Sequence, residues 1–332
     1  MVIHPVKIET SPGGVLLSAR VEVEGPPFAA ETLWFAFPGS PRERFSGSSD
    51  GFVAALLLLA MARREDIQVH GTLDRQLISN LAEYQRIFHA WFPERFHPVE
   101  IHCQNFHSPD AQVRPIGIAS AFSGGADSSY TVWSHLAEQE PDPAKRITHA
   151  LFVHGFDIPL TDASTFEAAS SRYIDEMRAL GIELILARTN VRQFVDELPW
   201  GITHGSALGS VALMLDRLLT LFYFPASSSY TDLEPWGSHP VSDPLMSNTT
   251  LTVIHDGCMI RCDKVSRVAQ WEPARSWMRV CWKHPSAGAN CCRCYNCVLT
   301  MISLDIPGMF GQSPTFPEPL VGSRIRRLCL PP

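Results

Sequence analysis

One junction constrains this chain more than any other. Residues 116–122 are short and apolar, and they run directly into Ser123-Gly124-Gly125-Ala126-Asp127-Ser128-Ser129, after which a helical pattern continues to Leu136. A short apolar run bounded by a turn signal predicts a buried strand. Two adjacent glycines let the backbone take φ > 0 and come close to a ligand. The helix that follows offers unpaired N–H groups and the positive end of its dipole to an anion. Ser123 and Ser128 can add hydroxyl donors. Asp127 is out of place in an anion site unless it orients the loop or holds a metal, and Mg²⁺ bridging phosphates would account for it. The alternative is a plain strand-to-helix turn capped by Ser and Asp. No Gly-Lys-Ser/Thr follows, so this is not a Walker loop.

Beyond the junction the pattern alternates. Strands are expected at 116–122, 147–153, 183–187 and 221–224, and helices at 128–136, 165–180 and 206–219. Strands separated by helices imply right-handed crossovers and a parallel sheet covered on both faces. The fold class expected is α/β, with a parallel doubly wound sheet, which binds ligands beyond the carboxyl ends of its strands. The first part of the chain reads differently. Strands at 15–23, 32–37 and 67–70, a buried helix at 52–62 and an amphipathic helix at 74–92 predict an α+β lobe. The 52–62 run falls short of the ~20 residues that cross a bilayer. At roughly 150 residues per domain, 332 residues suit two domains, drawn at 1–112 and 113–332. Residues 225–262, rich in Pro, Ser, Thr and Gly, read as long functional loops.

The chain has 27 Lys+Arg against 34 Asp+Glu, a formal charge of −7. That balance argues against nucleic acid as partner, which calls for a basic surface. The N-terminus shows no basic stretch followed by an apolar run and cleavage site, so the cytoplasm is the expected compartment and no membrane partner is expected.

Nine cysteines need an account. Cys291-x-x-Cys294-x-x-Cys297 places three thiolates at tight-turn spacing, and Cys281 can supply a fourth. Four thiolates around Zn²⁺ make a closed structural site; the ligand type alone also suits iron–sulfur. Cys292, inside the knuckle, is not expected to ligate, though it could substitute for a ligand. Cys103, Cys258, Cys262 and Cys329 read as isolated residues. His102, Cys103 and His107 form a trio that either binds metal or simply ends a strand.

Residues 123–128 match in full the Ser-Gly-Gly-x-Asp-Ser loop of the PP-loop ATP pyrophosphatases. Together with the cysteines, this loop resembles the 7-cyano-7-deazaguanine synthase (QueC-like) branch of that superfamily. The resemblance is closest to the longer synthase-like proteins of bacterial antiphage defence (type IV CBASS-like), through Pro235-Trp236-Gly237-Ser238-His239-Pro240, His255-Asp256-Gly257, Arg261-x-x-Lys264, Val280-Cys281-Trp282 and Asn290-Cys291-x-x-Cys294. It covers roughly residues 115–305, in motifs rather than throughout. Two departures stand out. Cys292 takes a position usually given to glycine, and the first lobe has no counterpart in the short housekeeping synthase.

The resemblance implies a sheet of the adenine nucleotide alpha hydrolase-like type with a C-terminal zinc segment. It implies Zn²⁺ at Cys281, Cys291, Cys294 and Cys297, and ATP with Mg²⁺ at the loop. Ser123, Gly124, Gly125, Asp127 and Ser128 would bind the β,γ-pyrophosphate, and Val153, His154 and Gly155 the adenine and ribose. His154 and Asp157 read equally as a pair that only caps turns. Asp127 and Lys264 are the catalytic candidates, with Arg261 and Arg267 beside them; Arg267 reads equally as solvent-facing. Substrate contacts are expected from His204, Gly205, Trp236, His239, Asp243 and Arg261. Glu234 could replace Asp243 as reader of a base, Ser206 could be a helix cap, and Trp236 could be core.

The implied chemistry is adenylation of a carboxylate, 7-carboxy-7-deazaguanine, followed by attack of an amine. The amine is ammonia or, in the defence relatives, an amine of a partner protein such as a CD-NTase-type nucleotidyltransferase. Three rivals stand beside this reading: a PP-loop tRNA-modifying or sulfur-transfer enzyme, a non-catalytic nucleotide-binding scaffold with a zinc ribbon, and a glutamine amidotransferase-like amide synthesis, which would need an external ammonia supply. A homodimer is left open.

Overall fold

A computed structural model of the chain describes residues 1–24, 31–107, 114–281, 283 and 289–328. Cys329 and Trp282 therefore lie outside the described residues. In chain order the elements are β1 (Val2–Ile3), β2 (Lys7–Ser11), β3 (Gly14–Glu22), β4 (Glu31–Pro38), α1 (Asp50–Arg63), β5 (Ile67–Leu73), α2 (Arg75–Trp91) and β6 (Ile101–Phe106). There follow β7 (Gly117–Ala121), α3 (Ala126–Ser134), β8 (His149–His154), α4 (Ala163–Ala179), β9 (Glu183–Thr189), α5 (Val191–Phe194), α6 (Trp200–Met214) and β10 (Leu219–Pro225). The last are β11 (Thr252–Asp256), α7 (Arg261–Val268), α8 (Glu272–Trp277), α9 (Tyr295–Asp305) and α10 (Gly322–Leu328).

The protein is α/β, with an eleven-stranded, mostly parallel sheet ordered β11-β10-β7-β8-β9-β4-β3-β1-β5-β6 and β2 paired to β3. Counted from β7, the segment β9-β8-β7-β10-β11 runs 3-2-1-4-5. The order therefore reverses at β7. Helices α3 and α4 carry the β7–β8 and β8–β9 crossovers, the kind of connection a parallel pair requires.

Contacts divide the chain into two units. The first comprises 1–119, 185–224 and 234–255; the second comprises 120–184, 225–233 and 256–332. This differs from a boundary at 112/113, and the reason lies in two pairings within the first unit. β4 pairs antiparallel with β9 through Phe35↔Thr189 and Ala36↔Arg188. Helix α1 packs closely on α6, where Gly51 lies against Met214 and the Ser210 carbonyl. An all-apolar helix must be covered on every side, and α1 is buried from Asp50 through Met61.

In the first unit, β3 is paired along its length with β4, from Gly14↔Pro38 to Val21↔Glu31. β1–β5 and β5–β6 are parallel. Helix α2 starts at Asp74, whose carboxylate accepts from the Leu77 N–H at 3.0 Å. Its apolar stripe, Leu77, Leu81, Tyr84 and Phe88, is buried. The expected helix 206–219 instead begins at Trp200, after Pro199, and ends at Met214. Ser206 is thus mid-helix rather than a cap, its hydroxyl donating to the Thr203 carbonyl at 2.9 Å.

The second unit holds β8, α3, α4 and the C-terminal helices. A core of Ala126, Val265, Val268, Met278, Met301, Leu304 and Phe316 surrounds the buried Cys281, Cys292 and Cys297. Among the described residues, no helix is long and apolar enough to cross a membrane.

Candidate functional site

In the second unit, β7 ends at Ala121 and α3 begins at Ala126 with Gly125 as its N-cap. Gly124 has φ +72°, and a Cβ there would overlap the Tyr173 hydroxyl. Tyr173 Oη donates to the Ser123 carbonyl at 3.4 Å. Burial pushes the Tyr173 phenol up, and the charges of Arg279 and Arg172 act the other way. Ser128 Oγ donates to the Gly125 carbonyl at 3.2 Å and accepts from the Ser123 N–H at 3.3 Å. Ser123 Oγ accepts from the Gly125 N–H at 3.3 Å. The loop is thus cross-braced by its own serines, and the sequence-predicted residues Ser123, Gly124, Gly125, Asp127 and Ser128 lie together.

Asp127 sits in the first turn of α3 and meets two cations. Lys264 Nζ is 3.0 Å from Oδ1, and Arg261 Nη2 is 2.7 Å from Oδ2. Both arrive from the first turn of α7. Lys264 is 1% exposed and also donates to the Ala226 carbonyl just after β10. Arg261 reaches Asn296 Oδ1 at 3.4 Å. Two positive charges against one negative leave this knot with a net positive charge at a helix N-terminus, an arrangement that attracts an anion.

The second strand's end behaves differently from the first. His154 is buried, its ring stacked on Phe166 with centroids 4.4 Å apart, and its Nε2 lies 2.9 Å from the Pro159 carbonyl. Gly155, at φ +104°, closes a tight turn through its N–H to the Ile158 carbonyl at 2.9 Å. The imidazole therefore pins a turn, and the Val153 side chain is buried too. Any nucleotide contact from Val153, His154 or Gly155 has to run through backbone.

Cys281, Cys291, Cys294 and Cys297 place their sulfurs within 4.8 Å of one another. Four ligands at about 2.3 Å around one tetrahedral ion are about 3.8 Å apart, and the Cys291 and Cys297 sulfurs are 3.8 Å apart. Four thiolates at this spacing repel one another without a cation, so the donor set fits a single Zn²⁺. Burial pushes the Cys291 thiol up, but the Arg293 and Cys294 backbone N–H groups and Cys281 bring it down to about 7. Burial raises Cys294 and Cys297. Cys292 points elsewhere, toward the Asn290 carbonyl, with φ +56°. The trio at 102–107 does not converge. His107 pairs with Asp50 at 3.2 Å, and the Cys103 thiol donates to the Gly71 and Asn105 carbonyls.

Asn290 joins the cysteine knuckle to the chain before it, a role that sequence reasoning missed. Its Oδ1 accepts from the Val280 and Cys281 N–H groups at 2.8 and 3.2 Å, and its Nδ2 donates to the Met278 carbonyl at 2.9 Å. The Arg279 N–H donates to the Gly124 carbonyl at 2.8 Å. Trp277 Nε1 donates to Ser129 Oγ at 2.9 Å. The segment from Trp277 to Cys281 is therefore tied to the glycine loop and to the cysteine centre at once.

The remaining substrate candidates belong to the first unit. Trp236 is 46% exposed, and its ring covers Gly201 so closely that a Cβ would overlap it. Gly205 admits the Gly237 carbonyl in the same way. His204 Nδ1 is 3.0 Å from the Gly201 carbonyl. Asp243 is buried and already engaged: Oδ2 accepts from Ser238 Oγ and meets His255 Nδ1, each at 2.6 Å, and Oδ1 accepts from the His239 N–H at 3.1 Å. As a reader of a base it would first have to give up these partners; as found, it holds the 238–243 turn together. The His239 ring meets Trp91 edge-on at 4.9 Å, and its imidazole is pushed down by burial and by His255. Glu234 is exposed.

No family model, curated protein or solved structure matches this chain.

Proposed function

We propose that this protein is an ATP-dependent carbon–nitrogen ligase that adenylates a carboxylate. The observation that carries the reading is the glycine loop between β7 and α3, with Asp127 held between Lys264 and Arg261. In this reading the substrate carboxylate oxygen attacks the α-phosphorus of ATP, pyrophosphate leaves, and an acyl-adenylate forms. An amine then attacks the acyl carbon, the bond to AMP breaks, and an amide results. Motif resemblance supports 7-carboxy-7-deazaguanine as the acid and the PP-loop type as the fold. It also supports two amine sources, ammonia or an amine on a partner protein of the defence nucleotidyltransferase kind.

The chain's own groups suit the first step. The unpaired N–H groups of the first turn of α3 would bind the departing pyrophosphate. Lys264 and Arg261 would offset the charge that accumulates on phosphorus-bound oxygens. Bound Mg²⁺ would take further charge from the phosphates. Asp127 is the sole carboxylate in the loop, so the ion would be held mainly by phosphate and water, as this ion commonly is. The cysteine centre would hold Zn²⁺ as a structural ion.

The test is product analysis with ATP, Mg²⁺ and 7-carboxy-7-deazaguanine, with and without ammonia. Pyrophosphate and AMP that depend on the acid are expected. ADP, or no nucleotide product, would overturn the reading and leave a nucleotide-binding scaffold.

A further inference from the structure

Lys264 and Arg261 are both committed to Asp127. A nucleotide tail carrying three phosphates would profit from a cation that is not committed in this way. Arg279 meets that description. Among the described residues, no carboxylate or carbonyl holds its guanidinium, while its backbone is fixed against the loop. Its N–H bonds the Gly124 carbonyl at 2.8 Å, and its own carbonyl lies 3.7 Å from where a Cβ on Gly125 would stand. Its charge is felt at the Tyr173 hydroxyl, which itself touches Gly124. The neighbours on either side are anchored as well. Met278 is held through its carbonyl and Val280 through its N–H, both by the Asn290 amide. Arg279 therefore has a fixed backbone beside the glycine turn and a half-buried side chain that no carboxylate or carbonyl among the described residues holds.

Resting on the proposed ATP site, we propose that Arg279 is a phosphate-binding residue, contacting the β- or γ-phosphate of ATP across the Gly124–Gly125 turn. The residue is two positions from Cys281, and the Asn290 amide that bonds the Cys281 N–H also bonds the backbone on either side of it.

The experiment measures equilibrium binding of ATP and of AMP to the full chain, as wild type, Arg279→Ala and Arg279→Lys, with bound metal and thermal midpoint recorded for each. Losing one charge-assisted contact should weaken ATP binding about ten- to a hundredfold. AMP, which lacks the β- and γ-phosphates, should bind equally to all three. Arg279→Lys should recover part of the loss, since a point charge remains but not the planar fork. Should the alanine variant fail to fold, Arg279→Gln, which keeps much of the length, takes its place. ATP binding within about twofold of wild type, or equal losses for ATP and AMP, would overturn the assignment of Arg279 alone. A wild-type protein that binds no ATP would instead overturn the proposed nucleotide site.

Discussion

Lys264 Nζ stands 3.0 Å from Asp127 Oδ1, and the lysine side chain is almost wholly out of water. The other Asp127 oxygen holds Arg261 at 2.7 Å. The two residues lie at the starts of two helices, α3 and α7, so one contact fixes both the glycine loop and the cation that faces it. A buried ammonium depends on its counter-charge, which makes this pair unequal in its response to substitution.

Asp127→Asn keeps the shape and removes the counter-charge, leaving Lys264 and Arg261 to repel. Losing one partner of a buried pair costs about 3–5 kcal/mol, and the partial exposure of Asp127 places this one near the lower end. Lys264→Met removes the buried charge itself and leaves Asp127 paired with Arg261, so it should cost less. Urea unfolding midpoints should fall in the order wild type, Lys264→Met, Asp127→Asn. Both variants should lose acid-dependent AMP release, so activity alone would not separate them. An Asp127→Asn protein as stable as wild type would sink the account.

Gly124→Ala meets two obstacles. A left-handed backbone costs a side-chain-bearing residue about 1–2 kcal/mol, and the new methyl would overlap the Tyr173 hydroxyl. Tyr173→Phe in the same chain removes the second obstacle and not the first. The double variant should therefore recover only part of the stability lost by Gly124→Ala, as read by denaturant midpoints. Full recovery would mean that the backbone conformation costs nothing.

The cysteine centre should hold one Zn²⁺ per chain, measured by elemental analysis. Cys297→Ser should lose that ion and lower the thermal midpoint, whereas Cys258→Ser should do neither. Because Asn290 ties the knuckle to Met278 and Val280, and Arg279 is bonded to Gly124, the effect should reach the loop. Stripping the metal should weaken ATP binding severalfold. Unchanged ATP affinity in metal-free protein would show that the strap does not transmit the order of the centre.

Much of this was legible in residue order. The strand–glycine–helix junction and the cysteine spacing are local patterns, and the residues they name do lie together. Longer-range facts were not legible. That β4 pairs with β9 depends on an edge that no short window reveals. The His255 partner of Asp243 and the Phe166 ring under His154 each stand twelve residues along the chain, outside the motifs that named Asp243 and His154. Arg279 carries no motif; only its bond to Gly124 singles it out. Cys292 is the instructive middle case. Its place inside the knuckle was visible in sequence, and its left-handed backbone, φ +56°, was not.

Asp216 and His107, both in the first unit, should each contribute stability that falls as pH rises, opposite to the usual acid sensitivity. Burial raises Asp216 to about 6, despite the Ser46 N–H and hydroxyl that favour its charged form, and Asp50 raises it further. The hydrogen bond to Asp50 raises His107, and burial opposes it. For Asp216 the folded value lies above the unfolded one, so the native state binds the proton more tightly and stability drops between about pH 4 and 6. A rise from the ordinary 3.8 to about 6 corresponds to at most about 3 kcal/mol. His107 contributes stability that is complete below its unfolded value and is lost as pH passes its raised folded value, so its slope has the same sign. Asp216→Asn keeps an acceptor for the Ser46 N–H, 3.0 Å away in the native chain, and removes the first slope. The difference in unfolding free energy between this variant and wild type should therefore grow in the variant's favour from pH 4 to pH 6 and then level off. Subtraction cancels the surface carboxylates, whose pH dependence runs the other way. A difference that stays flat across that window would show that Asp216 titrates as it does in the unfolded chain.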